Sequence, residues 1–124
     1  MDLTPQVTGH VVRKAAEYIE TYGWRQRTFG SIHTGFCMLG AIREACLRDL
    51  VVGDEMARIN AYSTMSDDIG EWLVNLNGGV RYTNSPVPAG NATFFNDVRG
   101  RTQEEILLHM NKFADEMDPQ AVPE

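Results

Sequence analysis

Cysteine, histidine and acidic side chains are the residues of this sequence that could carry out a reaction. Cys37 lies near the start of a predicted helix, His33 lies four residues before it, and Asp97 lies far along the chain beside Asn96. Amide groups and the dipole at a helix N-terminus lower the pKa of a thiol and so favour the nucleophilic thiolate. A histidine base oriented by a carboxylate completes the parts of a thiol hydrolase or transferase. Cys37, His33 and Asp97 are therefore candidate catalytic residues.

A packing role for Cys37 is the simpler alternative. A free cysteine is most often a small, buried, apolar residue, and Cys37 stands among Phe36, Leu39 and Ala41. No local signature of a cysteine hydrolase surrounds it. We therefore expect Cys37 to be buried and the protein to have no catalytic activity, and we keep the thiol enzyme as the alternative.

The sequence does not indicate a metal or cofactor site. His10, His33 and His109 are not placed in a zinc-binding pattern such as His-x-x-x-His, and the two cysteines do not form a Cys-x-x-Cys pair. The glycine pair Gly78-Gly79 follows a predicted helix, whereas the glycine loop that holds phosphate precedes one. We therefore expect neither a metal nor a cofactor.

The spacing of apolar side chains predicts the helices that must position these residues. Helical periodicity runs over residues 7–22, 35–50, 66–77 and 102–118, and a further helical stretch begins at Gly53. Gly40 inside the second helix costs about 1 kcal/mol relative to alanine, so we expect another backbone to pass close to it, at a helix crossing. The predicted N-caps are Thr8, Thr34, Ser66 and Thr102.

The segment from Val80 to Arg101 is rich in proline, glycine and asparagine and predicts a long loop. Loops on a rigid scaffold often carry function. Its adjacent aromatic residues, Phe94 and Phe95, must either dock on the core or form an exposed patch. Aromatic and arginine side chains dominate interface energies. The candidate binding residues in this loop are Arg81, Tyr82, Phe94, Phe95 and Arg99.

These features predict an all-α fold, a compact bundle of four to five helices with one long loop before the last helix. The chain has 124 residues, of which 43% are hydrophobic. This is an ordinary size and composition for one globular domain. We therefore expect a single helical domain over residues 1–124, with residues 118–124 as a frayed tail.

Charge and composition predict the cellular compartment of the protein and exclude some classes of partner. The net charge of −6 argues against a nucleic-acid binder, which normally presents a basic stripe, and it favours a basic partner. The apolar runs are too short to cross a membrane, and the N-terminus has no secretory signal. Cys37 and Cys46 are too far apart on one predicted helix to form a disulfide. Two free thiols indicate a reducing compartment, hence the cytoplasm.

Three segments of the sequence match a sequence pattern that occurs in other proteins. They are Gly23-Trp24, the Cys-x-x-Gly-Ala pattern that begins at Cys37, and Asn96-Asp97 followed by Thr102 at the start of the last helix. Together they resemble a family of small uncharacterised proteins from actinobacteria and bacteriophages. Two positions depart from its pattern, since Phe36 stands where that family often has a cysteine or small residue, and Phe95 where it often has tryptophan. The resemblance implies a bacterial or phage cytoplasm and transfers no activity.

The function that this sequence predicts is that of a non-enzymatic, cytoplasmic interaction protein. A phage accessory protein that modulates a host or defence component is one form of it. We expect an unidentified protein as the partner, with a homodimer left open, and neither nucleic acid nor a membrane. The alternative is a thiol-dependent hydrolase or transferase that uses Cys37.

Overall fold

The structure, a computed structural model, describes residues 3–48 and 54–119. Within these residues it contains five helices and a two-stranded antiparallel hairpin, which confirms the predicted all-α class. None of the described helices is both long and apolar enough to cross a membrane. The elements are α1 (Pro5–Tyr22), β1 (Gly30–Ser31), β2 (Gly35–Phe36), α2 (Met38–Arg48), α3 (Glu55–Leu76), α4 (Ala89–Asp97) and α5 (Gln103–Met117).

A cluster of buried apolar side chains lies between the helices. Helix α1 packs against α5 and α2, while α3 packs against α2 and α4. Each long helix contributes side chains that repeat at helical spacing, as the sequence predicts. Fully buried representatives are Val12 and Ile19 of α1, Ile42 of α2, Ile69 of α3 and Phe113 of α5.

The first two helices begin at other residues than predicted. Helix α1 begins after Thr4, whose hydroxyl caps it, and Thr8 is buried one turn further on. Pro5 favours this earlier start because proline suits the first position of a helix. Helix α2 begins at Met38, so Thr34 is not its cap. The reason is Gly35, whose φ of +81° is incompatible with a helix.

The helical stretches predicted around Gly53 and from Ser66 form one continuous helix, α3. Asp54 caps this helix by accepting a hydrogen bond from the Ala57 amide at 3.0 Å. Ser66 is buried in the middle of α3 and donates its hydroxyl to the Tyr62 carbonyl at 2.8 Å, so it is not a cap. A serine bonded in this way is compatible with a helix interior. Gly53 itself lies outside the described residues, as does the predicted end of α2.

The segment predicted as a long loop contains a nine-residue helix, α4. The Ala89 amide at its first turn donates to Asp67 Oδ1 of α3 at 3.0 Å. Gly70 of α3 allows the Pro88 carbonyl to approach, since a Cβ at Gly70 would lie 2.0 Å from that oxygen. The partners at the start of α4 therefore come from α3, which is why the local sequence does not predict this helix.

Helix α5 begins and ends close to the predicted positions. Thr102 caps it as predicted by accepting a hydrogen bond from the Glu105 amide at 3.2 Å. Asp118, which was expected to start a frayed tail, instead pairs with Arg13 of α1 at 2.9 Å. Pro119 is described and exposed, and residues 120–124 of that tail lie outside the described residues.

Candidate functional site

A pocket of about 340 Å³ opens between the segment before β1, the start of α2 and the end of α4. We call it the Cys37 pocket. Its walls bring together two of the three candidate catalytic residues, Cys37 and Asp97. The residues that line the pocket include Arg27, Phe29, Cys37, Leu39, Thr93 and Asp97.

Asn96 fastens three parts of the chain around this pocket. Its Oδ1 accepts hydrogen bonds from the Trp24 indole at 2.7 Å and from the Met38 amide at 3.0 Å. Its Nδ2 donates to the Arg25 carbonyl at 3.1 Å and to Asp97 Oδ1 at 3.0 Å. The buried Asn96 amide thus has partners for both donors and both lone pairs. The Asn96 side chain therefore has a structural role and offers no free polar atom to a ligand.

Arg27 has an unusual backbone conformation at the edge of the pocket. Its φ of +73° lies in the left-handed region, which residues other than glycine rarely adopt. The Arg27 amide donates to Asp97 Oδ1 at 2.9 Å, and this bond stabilises the turn. Strained backbone of this kind is concentrated at functional sites. The turn leaves the Arg27 side chain exposed beside the pocket.

Gly40 allows the segment that carries Phe29 to lie directly on α2. A Cβ at Gly40 would lie 1.9 Å from the Phe29 carbonyl oxygen. The same carbonyl accepts a hydrogen bond from the Cys37 amide at 3.2 Å. The predicted close approach at Gly40 is confirmed, although the neighbour is the chain before β1 and not another helix.

The Cys37 thiol is half-buried at the N-terminus of α2. Its sulfur accepts a hydrogen bond from the Gly40 amide at 3.2 Å, which is the bond an N-cap side chain makes. Burial raises the pKa of the Cys37 thiol, and the charge of Asp97 raises it further, while the Gly40 and Leu39 amides lower it. The net direction is upward. At neutral pH the thiol therefore keeps its proton and is a poor nucleophile.

None of the chain's histidines, all of which are described, lines the Cys37 pocket. His33 is exposed in the turn of the hairpin, and His109 lies on α5 with its ring 4.8 Å from that of Phe95. The pocket therefore places Cys37 beside Asp97 without the histidine base that a thiol hydrolase uses. Within residues 3–48 and 54–119, no three histidine, cysteine or acidic side chains are gathered closely enough to hold a metal ion.

The two adjacent phenylalanines of α4 have opposite environments. Phe94 is 53% exposed, whereas Phe95 is 3% exposed. The Phe95 ring lies 3.9 Å from the Arg101 guanidinium carbon, and its centroid is 5.5 Å from that of Tyr82. Phe95 and the half-buried Tyr82 therefore contribute to packing, and of these three aromatic residues Phe94 is the one available at the surface.

The two predicted binding arginines also differ. Arg81 donates to the carbonyls of Thr83 and Ser85 in its own loop. Arg99 is exposed just after α4. Phe29 and Arg27 were not among the predicted binding residues. Gly40 was the signal that could have found Phe29, because it required a close neighbour on α2.

Comparison with known proteins identifies a family. The model of a family of unknown function, DUF6197, matches residues 3–116. No curated protein and no solved structure matches the chain. The resemblance to a family of uncharacterised proteins is confirmed to this extent.

Proposed function

The chain belongs to DUF6197, a family of unknown function, and we propose that it is a non-enzymatic interaction protein whose partner binds around the Cys37 pocket. The observation that carries this proposal is an exposed aromatic side chain in the pocket wall and a second one on the helix that forms part of that wall. Phe29 lines the pocket and is 44% exposed, and Phe94, which is 53% exposed, follows the lining residue Thr93. Exposed aromatic residues beside a concave surface are typical interface anchors.

The state of Cys37 supports binding over catalysis. Its raised pKa keeps the thiol neutral, and the nearby Asp97 carboxylate opposes formation of a thiolate. One observation favours the thiol-dependent hydrolase or transferase as a second candidate, namely the Gly40 amide that donates to the sulfur. The variant Cys37→Ala distinguishes the two candidate functions. It should retain partner binding, whereas it would abolish a thiol-dependent activity. Rapid labelling of native Cys37 at neutral pH would favour the enzyme.

The binding proposal is tested by affinity purification of the tagged protein from its host, with mass spectrometry of the proteins that co-purify. Phe29→Ala and Phe94→Ala should each lose the partner without a large change in melting temperature. Leu108→Ala is the matched control, because Leu108 is 56% exposed on α5 and is not among the residues that line the pocket. A partner that survives both phenylalanine substitutions, or that is lost with Leu108→Ala, would contradict the proposal.

We also propose a setting for this activity, the cytoplasm of actinobacteria or of bacteria infected by a phage. A phage accessory protein that modulates a host or defence component fits this setting. Support comes from the family resemblance and from Cys37 and Cys46, which are both free thiols. A fluorescent fusion should be diffuse inside the cell, and accumulation at the envelope would contradict this. Analytical ultracentrifugation of the purified chain distinguishes a homodimer from a monomer that awaits another protein.

A further inference from the structure

Three exposed arginines lie on segments that form or adjoin the Cys37 pocket, although the whole chain has a net charge of −6. Arg27 lines the pocket. The Arg43 guanidinium carbon lies 5.1 Å from the centroid of the Phe29 ring. Arg99 follows Asp97 by two residues. All three arginines are exposed, and none forms an ion pair with an acid among the described residues.

Hydrogen bonds between the segment before β1 and the end of α4 hold Arg27 and Arg99 in the same region. The Gln26 side chain donates to the carbonyls of Asn96 at 3.1 Å and Val98 at 3.0 Å. Arg27 comes directly after Gln26, and Arg99 directly after Val98. The backbone segments that carry the two arginines are therefore adjacent, although 72 positions separate the residues in the sequence.

Glu44 and Asp97 are the acids within two positions of these arginines in the sequence, and both have partners within the protein. Asp97 Oδ1 accepts hydrogen bonds from the Arg27 amide and from the Asn96 side chain. Glu44 and Glu105 each pair with an arginine four positions away along the sequence. Asp97 keeps its negative charge, because both of its donors are neutral amides. Three arginines without an ion pair against this one carboxylate leave a net positive charge around the pocket, opposite in sign to the chain as a whole.

We propose that the Cys37 pocket recognises an acidic peptide segment of a partner protein, with one apolar side chain of that segment inside the pocket. This inference rests on the proposed function and specifies the partner's chemistry. Phe29, Leu39 and the protonated Cys37 thiol suit an apolar side chain. The exposed arginines suit carboxylates, which a guanidinium binds through two parallel hydrogen bonds.

The local charge here outweighs the net charge that favours a basic partner. Complementarity acts over about a Debye length, roughly 8 Å at physiological salt, so the groups at the contact decide its sign. Nucleic acid is the other anionic macromolecule to consider. It is less favoured because three arginines offer few phosphate contacts and the remaining surface is acidic overall.

The experiment selects peptides from a random dodecapeptide display library on the immobilised full chain. The enriched peptides should have a net negative charge and a large apolar or aromatic residue. Fluorescence anisotropy of the leading peptide should show binding that weakens with added salt. Arg99→Glu should weaken this binding by about fivefold or more, and replacing acids of the peptide by lysine should restore it in that variant. Lys112→Glu, the same charge reversal at an exposed position of α5, should change binding less than about twofold.

The outcomes separate this inference from the proposed function. Neutral or basic peptides whose binding requires Phe94 would overturn the acidic partner and leave the proposed function standing. Enrichment of no peptide that depends on Phe29 or Phe94 would contradict both. A fluorescein-labelled oligothymidylate that binds more tightly than the leading peptide would overturn the inference in favour of nucleic acid. Equal melting temperatures of the variants and the unmodified chain ensure that losses of binding are not losses of fold.

Discussion

The indole of Trp24 donates a hydrogen bond to the side-chain oxygen of Asn96 at 2.7 Å, across 72 positions of sequence. The same oxygen accepts the Met38 amide at 3.0 Å. One amide side chain thus connects the segment before β1, the start of α2 and the end of α4. These three parts of the chain form the Cys37 pocket, so the pocket depends on this connection.

Asn96→Ala should destabilise the protein by about 3–4 kcal/mol. It leaves the buried Met38 amide and the part-buried Trp24 indole and Arg25 carbonyl without their partner. An unsatisfied buried group costs about 1–3 kcal/mol, and a part-buried group lies at the low end of that range. Urea unfolding followed by tryptophan fluorescence measures the change. Asn75→Ala, at an exposed position of α3, serves as the control and should stay within about 0.5 kcal/mol. A loss below about 1 kcal/mol for Asn96→Ala would contradict the assigned role.

Gly40→Ala should lower the free energy of unfolding by about 2–3 kcal/mol, because the new Cβ would lie 1.9 Å from the Phe29 carbonyl oxygen. The sign of the change in the free energy of unfolding is decisive. In an open helix the same substitution stabilises by about 1 kcal/mol. Thermal unfolding by circular dichroism distinguishes the two, and a raised melting temperature would show that the segment before β1 does not lie on α2.

Phe95→Ala and Phe94→Ala should have very different effects on stability, although the residues are adjacent. Truncating the buried Phe95 ring should cost about 3–5 kcal/mol, because it removes the contacts with Arg101 and Tyr82. Truncating Phe94, which is half exposed, should cost less than about 0.5 kcal/mol. Chemical denaturation of the two variants tests this pair, and similar losses would mean that both rings belong to the core.

Stability should fall as the pH rises above about 9. Burial raises the pKa of Cys46 to about 12, whereas the thiol of the unfolded chain titrates near 9.0. Between these values the unfolded chain binds fewer protons than the folded chain, so the free energy of unfolding decreases with pH. Below pH 9 the stabilisation is fully present. Urea unfolding at neutral and alkaline pH should show a shallower decrease for Cys46→Ala, and identical slopes for variant and parent would contradict the assignment.

Thr102→Ala should cost about 0.5–2 kcal/mol, because it removes the hydroxyl that accepts the Glu105 amide at 3.2 Å. The helix should persist, so the circular dichroism spectrum should stay the same while the melting temperature falls. Thr64→Ala at an exposed position inside α3 is the control and should not lower it. Equal melting temperatures for Thr102→Ala and the parent would rule out this cap.

Local patterns were sufficient for the helical class and for most of the core. The apolar faces of α1 and α5 repeat at helical spacing, and Thr102 caps its helix through bonds three residues away. Such interactions lie within a few positions of one another, so the sequence displays them directly. Helix α4 was not predicted, because Asp67 and Gly70 of α3 supply its cap and its docking site.

The residue types alone indicated Cys37 and Asp97 as candidate catalytic residues. The periodicity of apolar residues alone predicted the helices, without tertiary information. Tertiary structure alone decided that these two side chains share a pocket and that His33 does not reach it. It also decided which of Phe94 and Phe95 faces solvent. Above all, it set the local charge, because Arg27, Arg43 and Arg99 are distant in sequence. Composition fixes the sum of the charges, but the electrostatic attraction of a partner depends on their distances, and only the folded chain sets those.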